Sequence, residues 1–153
     1  MTIPYQPEHY HAVTPYLMMQ DADAAMAFYA KVFQAEQIVR LAGPDGKLMH
    51  AEIRIGDSIL MMANGCDRMN MNTPQHYGGT TVSMVLYVPD VDAVVALAVA
   101  EGAEIIFPVK DQFYGDRSGT LKDPFGHIWT VSTHVEDPTP EQMQERLAAM
   151  HTA

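Results

Sequence analysis

Two kinds of apolar spacing alternate along this chain. The segment Thr14–Gln20 alternates as a half-buried strand does. Asp21–Phe33 then carries Met26, Tyr29, Val32 and Phe33 at helical spacing behind an acidic start, which predicts an amphipathic helix capped by Asp21. Gln37–Leu41 reads as a strand, Gly43-Pro44-Asp45-Gly46 as a hairpin turn, and Lys47–Ile55 and Ser58–Ala63 as two more strands split by Gly56-Asp57. After a loop rich in Met, Asn and Gly (Asn64–Gly79), long enough for a lid or a connector, the order recurs. Thr81–Val88 is a strand, Asp90–Glu101 a helix ended by Gly102, and Glu104–Val109 a strand. Tyr114–His134 is a pair of strands turning at Asp123-Pro124-Phe125-Gly126. Finally, Thr139-Pro140-Glu141-Gln142 forms a capping box ahead of a helix striped with Met143, Leu147 and Met150.

The recurrence is visible residue by residue. Gln20–Ala27 aligns with Pro89–Ala96 at an offset of 69 (Asp21 to Asp90), and Ala35-Glu36 aligns with Ala103-Glu104 after a one-residue slip. The expected architecture is α+β: two tandem βαβββ modules forming a curved mixed sheet with a half-barrel cavity and the helices on its outer face. Residues 1–12 form an N-terminal extension lying on a partner or on the chain's own sheet. A domain over residues 13–134 contains modules 13–63 and 81–134 with the loop 64–80 between them, and residues 135–153 supply a C-terminal helix.

Composition narrows the partners. A 153-residue chain that is 48% hydrophobic can bury a real core. Nine Lys and Arg against 19 Asp and Glu, a formal charge of −10, argue against nucleic acid or an anionic membrane, though a few placed Arg residues can still hold a small anion. The single cysteine, Cys66, excludes an internal disulfide and fits a reducing compartment, and no apolar run approaches the roughly 18 residues of a membrane span. The expected location is the cytoplasm.

The period of two in a strand distributes the chemistry. In Leu48–Ile55, the apolar Met49, Ala51, Ile53 and Ile55 should face the helix, leaving His50, Glu52 and Arg54 on the cavity face. Tyr16, Met18, Ile59, Met61, Ser83, Val85, Tyr87, Ile128, Thr130, Ser132 and His134 share that face, while Trp129 and Val131 pack against helices. His50 with Glu52 reads as a general base and its carboxylate partner, or else as part of a solvated polar ladder with Arg54. Arg117, in a Gly-Asp-Arg turn, can grip a carboxylate or phosphate with two parallel hydrogen bonds, or can pair with Asp116 or Asp123.

The repeat, the Asp-Ala-x-x-Ala-x-x-Phe-Tyr opening at residues 21–29, and Asp-Pro-Phe-Gly-His-Ile-Trp at 123–129 together resemble the vicinal-oxygen-chelate superfamily of glyoxalases, bleomycin-resistance proteins and extradiol dioxygenases. The run Met49–Ser58 (Met-His-Ala-Glu-Ile-Arg-Ile-Gly-Asp-Ser) is similar to the phosphonate-operon branch of glyoxalase-like proteins. The resemblance implies a divalent metal held by one side chain from the first and last strand of each repeat. Those positions fall on Thr14, Met61, Ser83 and Thr130, which make no first-row metal site, and Tyr16, Ile59, Val85 and Ser132 beside them add no suitable donors. Neither a metal nor another cofactor is therefore expected. The implied function is binding of a small organic molecule, hydrophobic or cationic, as bleomycin-resistance proteins do. The expected ligand-binding residues are Tyr16, Arg54, Met61, Ser83, Tyr87, Tyr114, Arg117 and Thr130. The alternative is a lyase or isomerase with His50 and Glu52 as acid–base pair on an anionic substrate. A homodimer is the expected assembly.

Overall fold

A computed structural model describes residues 3–151. The chain divides into two compact units, Met1–Thr80 and Thr81–Ala153. In the first, β1 (Tyr16–Met19), α1 (Ala22–Phe33), β2 (Glu36–Ala42), β3 (Leu48–Ile55) and β4 (Ser58–Asn64) follow in order. They build a four-stranded sheet ordered β1-β4-β3-β2, in which only β1 and β4 run parallel. Asn64–Gly79 then contains a 3-10 turn at Asp67–Met69 and a short helix α2 (Pro74–Tyr77). The second unit repeats the plan with β5 (Ser83–Tyr87), α3 (Val91–Ala100), β6 (Glu104–Asp111), β7 (Asp116–Lys122) and β8 (Ile128–His134), in sheet order β5-β8-β7-β6, followed by α4 (Pro140–Met150). This is a mixed α+β fold of tandem βαβββ modules whose sheets do not close into a barrel.

The repeat carries through to hydrogen bonds. Asp21 caps α1 by accepting from Ala24 N, and Asp90 caps α3 by accepting from Ala93 N. In both units a side chain at the end of the last strand satisfies a further orphan donor of the helix. Asn64 Oδ1 accepts from Ala22 N at 2.8 Å, and Thr133 Oγ1 from Val91 N at 3.0 Å. The strand registers agree as well: Tyr16 lies opposite Met61, and Val85 opposite Thr130.

Each helix covers one face of its own sheet. Ala25, Met26, Tyr29 and Val32 of α1 are buried together with Leu17, Met19, Ala51, Ile53 and Met62, and Val91, Val95 and Ala98 of α3 with Leu121, Trp129 and Val131. Apolar burial of this kind is the main driving term for each unit. The Asp123–Gly126 turn is tied into the second core by the Asp123 carboxylate. It accepts from Phe125 N, His127 N and the Trp129 indole N–H, each at 2.9 Å.

Met49 departs from the expected alternation. Between the pairs Leu41–His50 and Ala42–Leu48, β3 carries one extra residue, so Met49 is pushed out to 61% exposure while Leu48, at 1%, takes its place against the helix. Ala51, Ile53 and Ile55 are buried as expected. Matching irregularities fall in β2 at Ile38 and in β6 at Ile106, preserving the one-residue slip of the repeat.

Candidate functional site

The face of the first sheet opposite α1 carries a continuous hydrogen-bonded row. Cross-strand pairing sets Tyr16 beside Met61 and Met61 beside Glu52, and two residues along β3 lies His50. His50 Nε2 is 2.9 Å from Glu52 Oε1, and His50 Nδ1 is 2.9 Å from the Tyr16 hydroxyl. An ionised carboxylate only accepts, so a neutral His50 places its proton on Nε2 and accepts from Tyr16 at Nδ1. The second oxygen of Glu52 is taken by the Tyr10 hydroxyl, which donates from the N-terminal segment. That segment therefore lies on the chain's own first sheet, and Glu52 is left only 8% exposed. Burial pushes the Glu52 carboxyl upward, but the hydrogen bonds from His50 and Tyr10 outweigh it and hold the group below the usual carboxylate range. Burial and the neighbouring Glu52 charge raise the Tyr16 phenol. The row can relay a proton between an exposed phenol and a fixed anion.

Arg54 shares that strand face but is spent at the sheet margin, where its guanidinium pairs with Glu36 on β2.

The equivalent face of the second sheet is hollowed into a cleft of about 320 Å³. Two of the expected residues, Tyr114 and Thr130, line it. Ser118, Thr120 and Gln112 add polar groups, while Phe107 and Pro108 supply an apolar wall. The Thr120 and Thr130 hydroxyls are 2.9 Å apart, and the Tyr114 hydroxyl is 3.5 Å from Ser118 Oγ. Lys110 also lines the cleft, directly opposite Ser118 in the strand register.

The other six expected ligand residues lie outside this cleft: Tyr16, Arg54 and Met61 belong to the first sheet, and Ser83, Tyr87 and Arg117 to the second unit. Ser83 sits opposite Ile128 on the edge strand β5. Tyr87 donates to Asp116 at 2.9 Å, and the same carboxylate is 2.7 Å from His134 Nδ1, whose Nε2 is 2.9 Å from Asp137. The two carboxylates, Asp116 first, raise the His134 imidazole above its ordinary value. Arg117 stands opposite Thr133, on the face that carries α3, and pairs with neither Asp116 nor Asp123. Its guanidinium is clamped by both oxygens of Asp92 at 2.7 and 2.8 Å and by Asp111 at 3.1 Å, so it braces helix to sheet.

The sequence reading missed Tyr10, Lys110, Ser118 and Thr120. Ser118 and Thr120 were within reach: the slipped repeat makes them the mates of His50 and Glu52. Lys110 was not, because it falls beyond the strand predicted to end at Val109 and follows a second irregularity in β6.

A divalent metal does not suit the register positions of the first and last strands. The strand pairing moves the first-strand positions two residues along from the expected Thr14 and Ser83: Tyr16 lies beside Met61 and Val85 beside Thr130, and the four offer a phenol, a thioether, an alkyl group and an alcohol. Among the described residues, no group of three or more His, Cys, Asp or Glu side chains converges as a metal site would require.

A family model described as "Glyoxalase/Bleomycin resistance protein/Dioxygenase superfamily" matches residues 9–131. An uncharacterized protein of Mycobacterium tuberculosis (strain H37Rv) is 38% identical over 141 residues, covering 90% of this chain and 83% of the relative. Among solved structures, the chain is similar to TioX from Micromonospora sp. ML1, with 26% identity, TM-score 0.63 and coverage of 82% of this chain and 99% of that one. The PhnB protein from Bacillus cereus gives 21% identity, TM-score 0.64 and coverage of 80% and 99%. The fosfomycin resistance protein FosX from Listeria monocytogenes gives 18%, 0.61, and 87% and 97%. At those lower identities the last two likenesses are ones of fold.

Proposed function

The chain belongs to the Glyoxalase/Bleomycin resistance protein/Dioxygenase superfamily, and on that premise we propose that it binds a small organic molecule in the cleft of its second module, without a metal at the family's usual positions. One observation carries the reading: a concavity of about 320 Å³ with an apolar wall at Phe107 and Pro108 and convergent hydroxyls at Tyr114, Ser118, Thr120 and Thr130. Binding sites for small molecules have this make-up, a largely apolar hollow with a few placed polar groups. The donor chemistry at Tyr16, Met61, Val85 and Thr130 supports metal-independence. The expected homodimer and cytoplasmic location belong to the same proposal; sedimentation velocity tests the first and fractionation of the source cells the second.

The test is a thermal-shift screen of small organic compounds against the wild type and Thr130→Trp, which fills the cleft floor. Compounds seated in the cleft should raise the melting temperature of the wild type alone. Hits that stabilise both proteins equally would place the ligand elsewhere and end the reading.

A second reading is favoured by the Tyr16–His50–Glu52 row, whose carboxylate orients an imidazole beside an exposed hydroxyl, the arrangement of a general acid–base relay. In that reading the protein is a lyase- or isomerase-type enzyme with His50 as base and Glu52 as its partner. Turnover of any screened compound that survives His50→Ala would remove His50 from the role.

A further inference from the structure

The overall charge of −10 points toward cationic ligands. The cleft itself points the other way. Among the described residues no carboxylate lines it, and the one charged group that does is the Lys110 ammonium. The carboxylates of nearby strands are already engaged: Asp111 holds Arg117, and Asp116 holds His134 and Tyr87. Among the described residues Lys110 takes part in none of the ion pairs, whereas Lys122, at the other end of the β6–β7 pairing, is 2.8 Å from Glu104.

The backbone explains how Lys110 comes to the cleft. Phe107 and Lys110 are three residues apart, so in a regular strand they would point to opposite faces. The register shows otherwise. Phe107 lies opposite Thr120 and Lys110 opposite Ser118, so β6 advances three residues while β7 advances two. The extra residue falls at Pro108-Val109, facing Gly119, where the absence of a side chain lets the strands approach closely. The bulge turns Lys110 onto the same face as Ser118, Thr120 and Thr130. Bulges commonly re-aim a side chain in this way.

We propose that this cleft selects a small organic anion, a compact molecule with an aromatic or other apolar body and one carboxylate, phosphonate or sulfonate group, and that Lys110 is the residue that binds the charge. The inference rests on the preceding reading that the cleft is the ligand seat. The anionic head sits between the Lys110 ammonium and the hydroxyls of Ser118 and Thr120, which can donate to it. The apolar body lies against Phe107 and Pro108. Charge-assisted contacts of this kind are stronger than neutral ones and weaken as salt is added.

The experiment uses two fluorescent dyes with one skeleton: 8-anilinonaphthalene-1-sulfonate and its uncharged counterpart N-phenyl-1-naphthylamine. Both are titrated into the full chain at low and high salt. The sulfonate should bind the wild type about tenfold more tightly than the neutral dye. Lys110→Gln should erase that preference without weakening the neutral dye, and Lys110→Glu should invert it. Thr130→Trp should expel both dyes, with circular dichroism confirming that each variant is folded. If Thr130→Trp expels both dyes while the wild type and Lys110→Gln show the same ratio, the cleft stands as a binding site and the anion assignment is overturned. If neither dye binds, or Thr130→Trp changes neither, the cleft reading fails and takes this inference with it.

Discussion

Replacing Gly119 with Ala tests the geometry on which the cleft depends. A Cβ built at this position would lie 2.8 Å from Val109 Cγ2, 3.2 Å from Val109 N and 3.3 Å from Val109 Cα. The first distance is shorter than side chains tolerate, and Val109 is β-branched and cannot swing clear by a simple rotamer change. The other two contacts are with backbone, so relief requires β6 to move outward at its bulge. Overpacking of this type costs about 1–3 kcal/mol. Loss of glycine's freedom in the unfolded chain returns about 0.4–1 kcal/mol. The net destabilisation is then centred on about 1.3 kcal/mol, and the melting temperature should fall by about 3–5 °C for a chain of this size. Scanning calorimetry measures the fall. Because the same displacement carries Lys110 away from Ser118, the preference for the sulfonate dye should shrink in parallel. A Gly119→Ala protein that melts at or above the wild-type temperature and keeps its dye preference would refute the account of the bulge.

Three other outcomes follow from the hydrogen bonding. His134, held by Asp116 and Asp137, has its imidazole raised above 6.5, so its contribution to stability is present below that pH and is lost as the pH rises through the folded value; the drop in melting temperature above about pH 6.5 should be smaller in His134→Gln, and an unchanged pH profile would count against the pairing. Tyr10→Phe removes one of the two hydrogen bonds that keep Glu52 below 4.5, so the Glu52 titration followed by carbon NMR should move up toward that value, whereas an unmoved titration would mean that the N-terminal segment does not rest on the sheet in solution. Asp123→Ala removes the acceptor of three N–H donors, two of them buried at His127 and Trp129, and at about 1–3 kcal/mol for each buried unsatisfied group the loss in urea unfolding should reach about 2–6 kcal/mol, much of the stability of an ordinary domain; a loss under about 1 kcal/mol would contradict the role given to this carboxylate.

The repeat was the most informative feature of the sequence because it encodes local geometry twice. An offset of 69 set the helix caps at Asp21 and Asp90, and it matches the registers Tyr16–Met61 and Val85–Thr130. Strand period correctly put His50, Glu52 and Tyr16 on one face, since two-residue alternation follows from the backbone alone. It failed wherever the backbone gained a residue. Met49 left the core for that reason, and Lys110 entered the cleft for the same one. Contacts between distant segments were equally hidden. Nothing in residues 1–12 announces that Tyr10 reaches Glu52, and nothing local to Arg117 shows that Asp92, 25 positions away, claims it.

The sequence by itself thus determined the fold family, the duplicated module and the capped helices, because each depends on residue type and spacing along the chain. Tertiary structure alone decided which charges remain available. A cation is free or spent according to the carboxylates that folding brings within reach, and a bulge that reverses a strand's faces is a compromise between two paired strands. Arg117 and Arg54, the basic residues the sequence favoured for anion binding, are both committed to carboxylates, while Lys110, which it passed over, faces the cleft.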